Sequence, residues 1–127
     1  MLESPDLKFG LCHPESAAIG KSIQSIAKSR GDWENLSAKA TVMKSTVSEL
    51  AVDLKAGALD AAFLWDQTVA SLPNLEIVEC PELSSHLASV PAILLTCSQS
   101  PEQASHFQRW ISEHGSPVFR RHHFIQH

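Results

Sequence analysis

LKFGLCHPESAAIG, running from Leu7 to Gly20, reads as a short apolar strand, a proline-marked turn and the opening of a helix. A turn of this kind aims the free N–H groups of the helix's first turn at whatever sits beyond the strand's carboxyl end. Most α/β units share it and bind nothing through it. Whether this one is a site depends on what the remaining sequence builds around it.

Downstream, the pattern becomes helical at Ala18, with Ile19, Ile23, Ile26 and Ala27 on one face and Gly31 as the stop. Trp33 and Leu36 are expected to fold back beneath that helix as core residues. Ala38 to Met43 reads as a second strand. KSTVSE then opens a second helix, whose stripe is Val47, Leu50, Ala51 and Leu54, with Thr46 and Glu49 in a capping-box relation and Gly57 at its end. Asp60 leads into AAFLW, a continuous apolar run suited to a strand covered on both faces. A helical turn over DQTVAS and an alternating strand from Leu75 to Glu79 follow. This order predicts an α/β fold: a mainly parallel sheet with helices on both faces and right-handed connections.

Residues 81–89 are polar and loop-like, and Val90 to Thr96 (VPAILLT) reads as a strand that Pro91 confines to an edge or crossing point. Ser100-Pro101-Glu102-Gln103 starts another helix, with Ala104, Phe107, Trp110 and Ile111 as its inner face. A last short helix is expected from Ser116-Pro117, carrying Val118 and Phe119.

At 127 residues and 43% hydrophobic content the chain can bury one core. A net charge of -4 and a pI of about 5.9 leave no broad basic surface, so nucleic acid is not an expected partner of these residues. No apolar run approaches the roughly 20 residues of a membrane span, and MLESPDLKFG lacks the organisation of a secretory signal. The chain as written is therefore expected in the cytoplasm, and an excised domain of a longer protein in the periplasm or another extracytoplasmic space. Cys12, Cys80 and Cys97 form an odd set without CxxC spacing and read as buried thiols.

The order and spacing of these motifs resemble the second lobe, hinge strand and C-terminal helices of the molybdate-binding periplasmic proteins that serve ABC transporters. HPESAAIG is similar to that family's turn of an acidic or amide residue, Pro and then Pro-Ala-Gly. TVSELAVDLKAGALDAAFLW is similar to its helix, glycine and apolar strand ending in tyrosine, ASVPAILL to its hinge strand, and FQRWISEHGSPVFRRHHF to its closing helices. The resemblance implies a periplasmic-binding-protein lobe over residues 7–89, preceded by an N-terminal extension (1–6) and followed by a hinge strand and C-terminal helices (90–127). It also implies a small oxyanion held by the backbone N–H groups of Ile19 and Val47 and by the side chain at Trp65. The chain departs from the family at His13, at Ala18 where a second proline is usual, and at Trp65 where tyrosine is usual; indole donates one hydrogen bond but accepts none. The serine-bearing first lobe has no counterpart in these residues. A completing lobe or a second copy is therefore an expected partner, as a homodimer whose tail packs against the second copy or swaps between protomers, together with an ABC transporter membrane subunit.

A doubly ionised tetrahedral oxyanion only accepts hydrogen bonds, so donors that need no counter-acceptor suit it best. The threonine–glutamate box leaves the N–H groups of Val47 and Ser48 free, and the helix dipole adds partial positive charge there. Ser16, Ser45 and Thr46 are hydroxyls in the same turns, each equally suited to ordinary capping. Lys44 reads as a solvated charge. The seven histidines show no paired-ligand spacing, and no nucleophile elbow, P-loop or dinucleotide turn is present. No enzyme, metal or cofactor is expected. Two further readings are a ligand-sensing effector domain of a regulator and a ligand-free self-association module of the same fold.

Overall fold

The computed structural model describes Ser4, residues 6–84 and residues 86–124. The rest of the N-terminal extension and His127 of the histidine-rich tail lie outside the described residues. The chain forms two compact units, Met1–His86 and Leu87–His127.

The first unit is an α/β layer structure in the order β1 (Phe9–Cys12), α1 (Ala18–Ser29), α2 (Trp33–Lys39), β2 (Val42–Lys44), α3 (Val47–Lys55), β3 (Ala61–Ala62), α4 (Asp66–Ala70) and α5 (Pro81–Ser84). Its sheet runs β2-β1-β3 and is parallel throughout, with Gly10 opposite Val42 on one side and Ala62 on the other. The path from β1 to β2 moves one way across the sheet, and the path from β2 to β3 returns past β1. Two right-handed crossovers running in opposite directions lie on opposite faces, so α1 and α2 cover one face and α3 the other. The burial of β1 agrees: all four of its residues are buried, although successive side chains point to opposite faces.

The core is built from Phe9, Leu11 and Cys12 of β1, Ile19 and Ile23 of α1, Leu50 of α3, and Leu59. Gly10 keeps one face of β1 low, since a methyl group there would come within 2.5 Å of Leu50 Cδ2 and 2.7 Å of Leu59 Cδ1. The helix ends follow the sequence. Arg30 and Ala56 are the C-caps of α1 and α3, and Gly31 and Gly57 after them adopt φ of +74° and +70°, where a side chain would be strained.

Several expectations fail for identifiable reasons. Trp33 and Leu36 do pack against the core, but within a helix, α2, that also takes up Ala38 and Lys39. The second strand therefore begins at Val42 instead of Ala38. AAFLW is a strand only at Ala61–Ala62, where β1 is its neighbour; Phe63 still donates to Gly10 O at 3.4 Å. Residues 75–79 form no strand, and Ile77 and Val78 are more than half exposed. The thiol expectation holds for Cys12, which is buried, and fails for Cys97, which is exposed in a turn.

In the second unit, residues 90–96 form no strand and Val90, Ile93 and Leu95 are exposed. Gln108 Nε2 donates to Ala92 O at 3.0 Å. A single helix, α6 (Pro101–Arg121), replaces the two expected and runs straight through Pro117. Its expected inner face is not buried: Phe107 is 61% and Trp110 46% exposed. Phe107, Trp110 and His114 instead stack along the helix, with centroids 6.5 and 5.4 Å apart.

Candidate functional site

In an open parallel sheet the crevice for ligands lies outside the carboxyl ends of the strands, where successive connections leave for opposite faces. Here that switch falls between the neighbouring strands β1 and β2, with α1 departing from β1 to one face and α3 from β2 to the other. The segments leaving the strands are residues 13–17 after β1, 45–46 after β2 and 63–65 after β3. The first two start side by side, because Cys12 is in register with Lys44 and His13 N–H donates to Lys44 O at 2.8 Å.

The turn after β1 folds on His13. The amides of Ser16 and Ala17 donate to His13 O at 3.1 and 3.0 Å, and that of Glu15 to His13 Nδ1 at 3.3 Å. Lys21 N–H donates to Ala17 O at 3.1 Å and begins the helical ladder. Among the described residues the amides of Ala18, Ile19 and Gly20 meet no acceptor, as the first turn of a helix requires. Ile19's side chain is buried in the core, which fixes its amide at the open end of α1. Ser16 is exposed in the turn.

At α3 the capping box forms as expected. Thr46 is extended (φ −135°, ψ 153°). Its Oγ1 accepts from Glu49 N at 3.3 Å and donates to Glu49 Oε2 at 2.9 Å, while its own amide donates to the same carboxylate at 2.9 Å. The Thr46 hydroxyl proton is thus committed to Glu49, and this residue organises the helix start. The amides of Val47 and Ser48 meet no acceptor among the described residues. Val47's side chain packs on the core, and Ser45 and Ser48 are exposed. Lys44 is not a solvated charge: its Nζ lies 3.0 Å from Asp53 Oδ2.

Two negative features temper this opening. Glu49 brings a carboxylate to the start of α3, and its field reaches Cys12: burial first, and then the Glu49 charge, hold that thiol above its ordinary value of 9.0. At the third opening Trp65 is the N-cap of α4, half-buried against the core, and Asp66 Oδ1 accepts from Gln67 N–H at 2.8 Å. Among the described residues no cluster of His, Cys, Asp or Glu is placed to hold a metal. No helix among them is long and apolar enough to cross a membrane.

Sequence reasoning missed Gly20. A methyl group there would overlap the carbonyl oxygen of Cys12 and come within 2.8 Å of the carbonyl carbons of Cys12 and His13. The signal was available: a glycine in the first turn of a helix that follows a strand permits close helix–strand packing. The Lys44–Asp53 pair had no such signal, since it joins the end of β2 to the last turn of α3.

The family model of bacterial extracellular solute-binding proteins matches residues 1–125. No curated protein and no solved structure matches the chain. The match covers nearly the whole sequence and bears out the resemblance at the level of solute binding, without naming a solute; the chain belongs to the bacterial extracellular solute-binding protein family.

Proposed function

We propose that this chain is an extracytoplasmic solute-binding lobe that holds a small oxyanion of the molybdate, tungstate or sulfate type for an ABC transporter. The anion sits on the amides of Ile19, Val47 and Ser48, with the Trp65 indole and the hydroxyls of Ser16 and Ser45 at the margin. One observation carries this reading: two helices open from adjacent strand ends, and their first-turn amides have no acceptor among the described residues. Each such opening attracts negative charge locally, which a protein of net charge -4 does not provide at long range. A facing lobe, in the same or another chain, completes the cleft.

A second reading is a self-association module that keeps the fold without the ligand. The exposed Val90, Ile93 and Leu95 and the aromatic stripe of α6 favour it, because apolar surface of that kind is usually covered by a partner. Calorimetric titration with molybdate, tungstate, sulfate and phosphate separates the two. Saturable heat with one of them supports solute capture, and none at about millimolar concentrations favours self-association.

A further inference from the structure

A wide, open groove of about 800 Å³ lies on the α1–α2 face of the sheet, so a ligand there would keep one side in solvent. Lys21, Gln24 and Lys28 line one wall at i, i+3 and i+7 of α1, Trp33 and Ser37 of α2 line the other, and Met43 of β2 closes one side. The turn from His13 to Glu15 forms its rim. Neither lysine makes an ion pair among the described residues, where the cations that do are Arg30 and Lys44. Glu15 is the acidic side chain in the lining, so the groove is locally positive in a protein of net charge -4. Trp33 is half-buried and packed on the core, which holds its ring as a rigid apolar surface, and Met43 adds a polarisable one.

We propose that this groove binds a small organic anion: a carboxylate or phosphate monoester whose charge is met by Lys21 and Lys28 and whose apolar body lies against Trp33 and Met43. The lysines stand about 10.5 Å apart along the helix, a gap that two flexible side chains can close on one acidic group or use to hold two. A bare inorganic anion leaves the Trp33 surface unused. An organic cation meets two ammonium groups. The site makes no use of the Val47, Ser48 or Trp65 positions, so it stands or falls apart from the oxyanion reading.

Phenyl phosphate is the probe, followed by calorimetry and by the NMR signal of the Trp33 indole N–H, assigned with Trp33→Phe. The expected result is saturable binding that shifts the Trp33 signal, is at least about tenfold tighter than that of inorganic phosphate, and weakens by about tenfold or more in Lys21→Gln/Lys28→Gln. The lysines are exposed, so that variant keeps its fold, checked by its far-ultraviolet circular dichroism. Followed at the Trp33 signal, which belongs to the groove and not to the helix openings, absence of saturation at about 10 mM phenyl phosphate, an equal response to inorganic phosphate, or an undiminished response in the lysine variant would each overturn the proposal.

Discussion

Gly20 and Cys12 touch through backbone alone: the α carbon of Gly20 lies so close to the last residue of β1 that a methyl group on it would overlap the Cys12 carbonyl oxygen. The contact sets how far the first turn of α1 stands from the strand end, and with it the position of the Ile19 amide. Gly20→Ala is expected to push α1 outward, lowering stability by about 1–3 kcal/mol and lowering oxyanion affinity as well. Gly10→Ala makes the comparison. Its methyl group meets the side chains of Leu50 on α3 and of Leu59, so it should also reduce stability, and acts on the Val47 and Ser48 amides through α3 instead of on Ile19 through α1. Urea unfolding and calorimetric titration of both variants check this.

Leu50 has no exposed surface and packs on β1 from α3. Leu50→Ala should cost about 2–5 kcal/mol through lost burial and the cavity left behind, while Val52→Ala, at a site 64% exposed, should change stability by less than about 0.5 kcal/mol. Denaturant midpoints of the two variants provide the comparison.

Thr46 and Glu49 satisfy each other at the start of α3. Thr46→Ala removes the cap and is expected to lower stability by about 1 kcal/mol. Glu49→Gln keeps a side chain able to accept from the Thr46 amide and removes the negative charge beside the free amides. It should therefore raise oxyanion affinity, an increase that titration in low salt will show most clearly.

Burial holds the Cys12 thiol above its ordinary value of 9.0, with Glu49 adding to the effect. The unfolded chain ionises first as pH rises, so this contribution to stability is complete below pH 9.0 and is lost on going above it. Cys12→Ala should flatten the alkaline limb of the stability profile. In the native protein iodoacetamide should label the exposed Cys97 well before the buried Cys12, with mass spectrometry reading the order.

The elements legible in the sequence are those whose information is local. β1, α1 and α3 carry their own periodicity, their stops at Gly31 and Gly57, and a capping box four residues long. The alternating run at 75–79 and the continuous apolar run at 90–96 misled because apolar residues declare only a tendency to be covered, and a strand also needs a neighbour to pair with. Pro117 misled in the opposite direction: a proline at a helix start and one inside a helix look alike in sequence. At the site, the amides of Val47 and Ser48 were readable from Thr46 and Glu49. The occupation of Lys44 by Asp53, and the close approach at Gly20, depend on how α3 and α1 lie against the sheet.

The most direct test of the shared amide cradle is an NMR titration of the ¹⁵N-labelled protein with molybdate, following individual backbone amides. Capture at the two helix openings requires the signals of Ile19, Val47 and Ser48 to move together along one saturable curve. If those three stay fixed while the anion is added, or move along unrelated curves, the cradle does not exist.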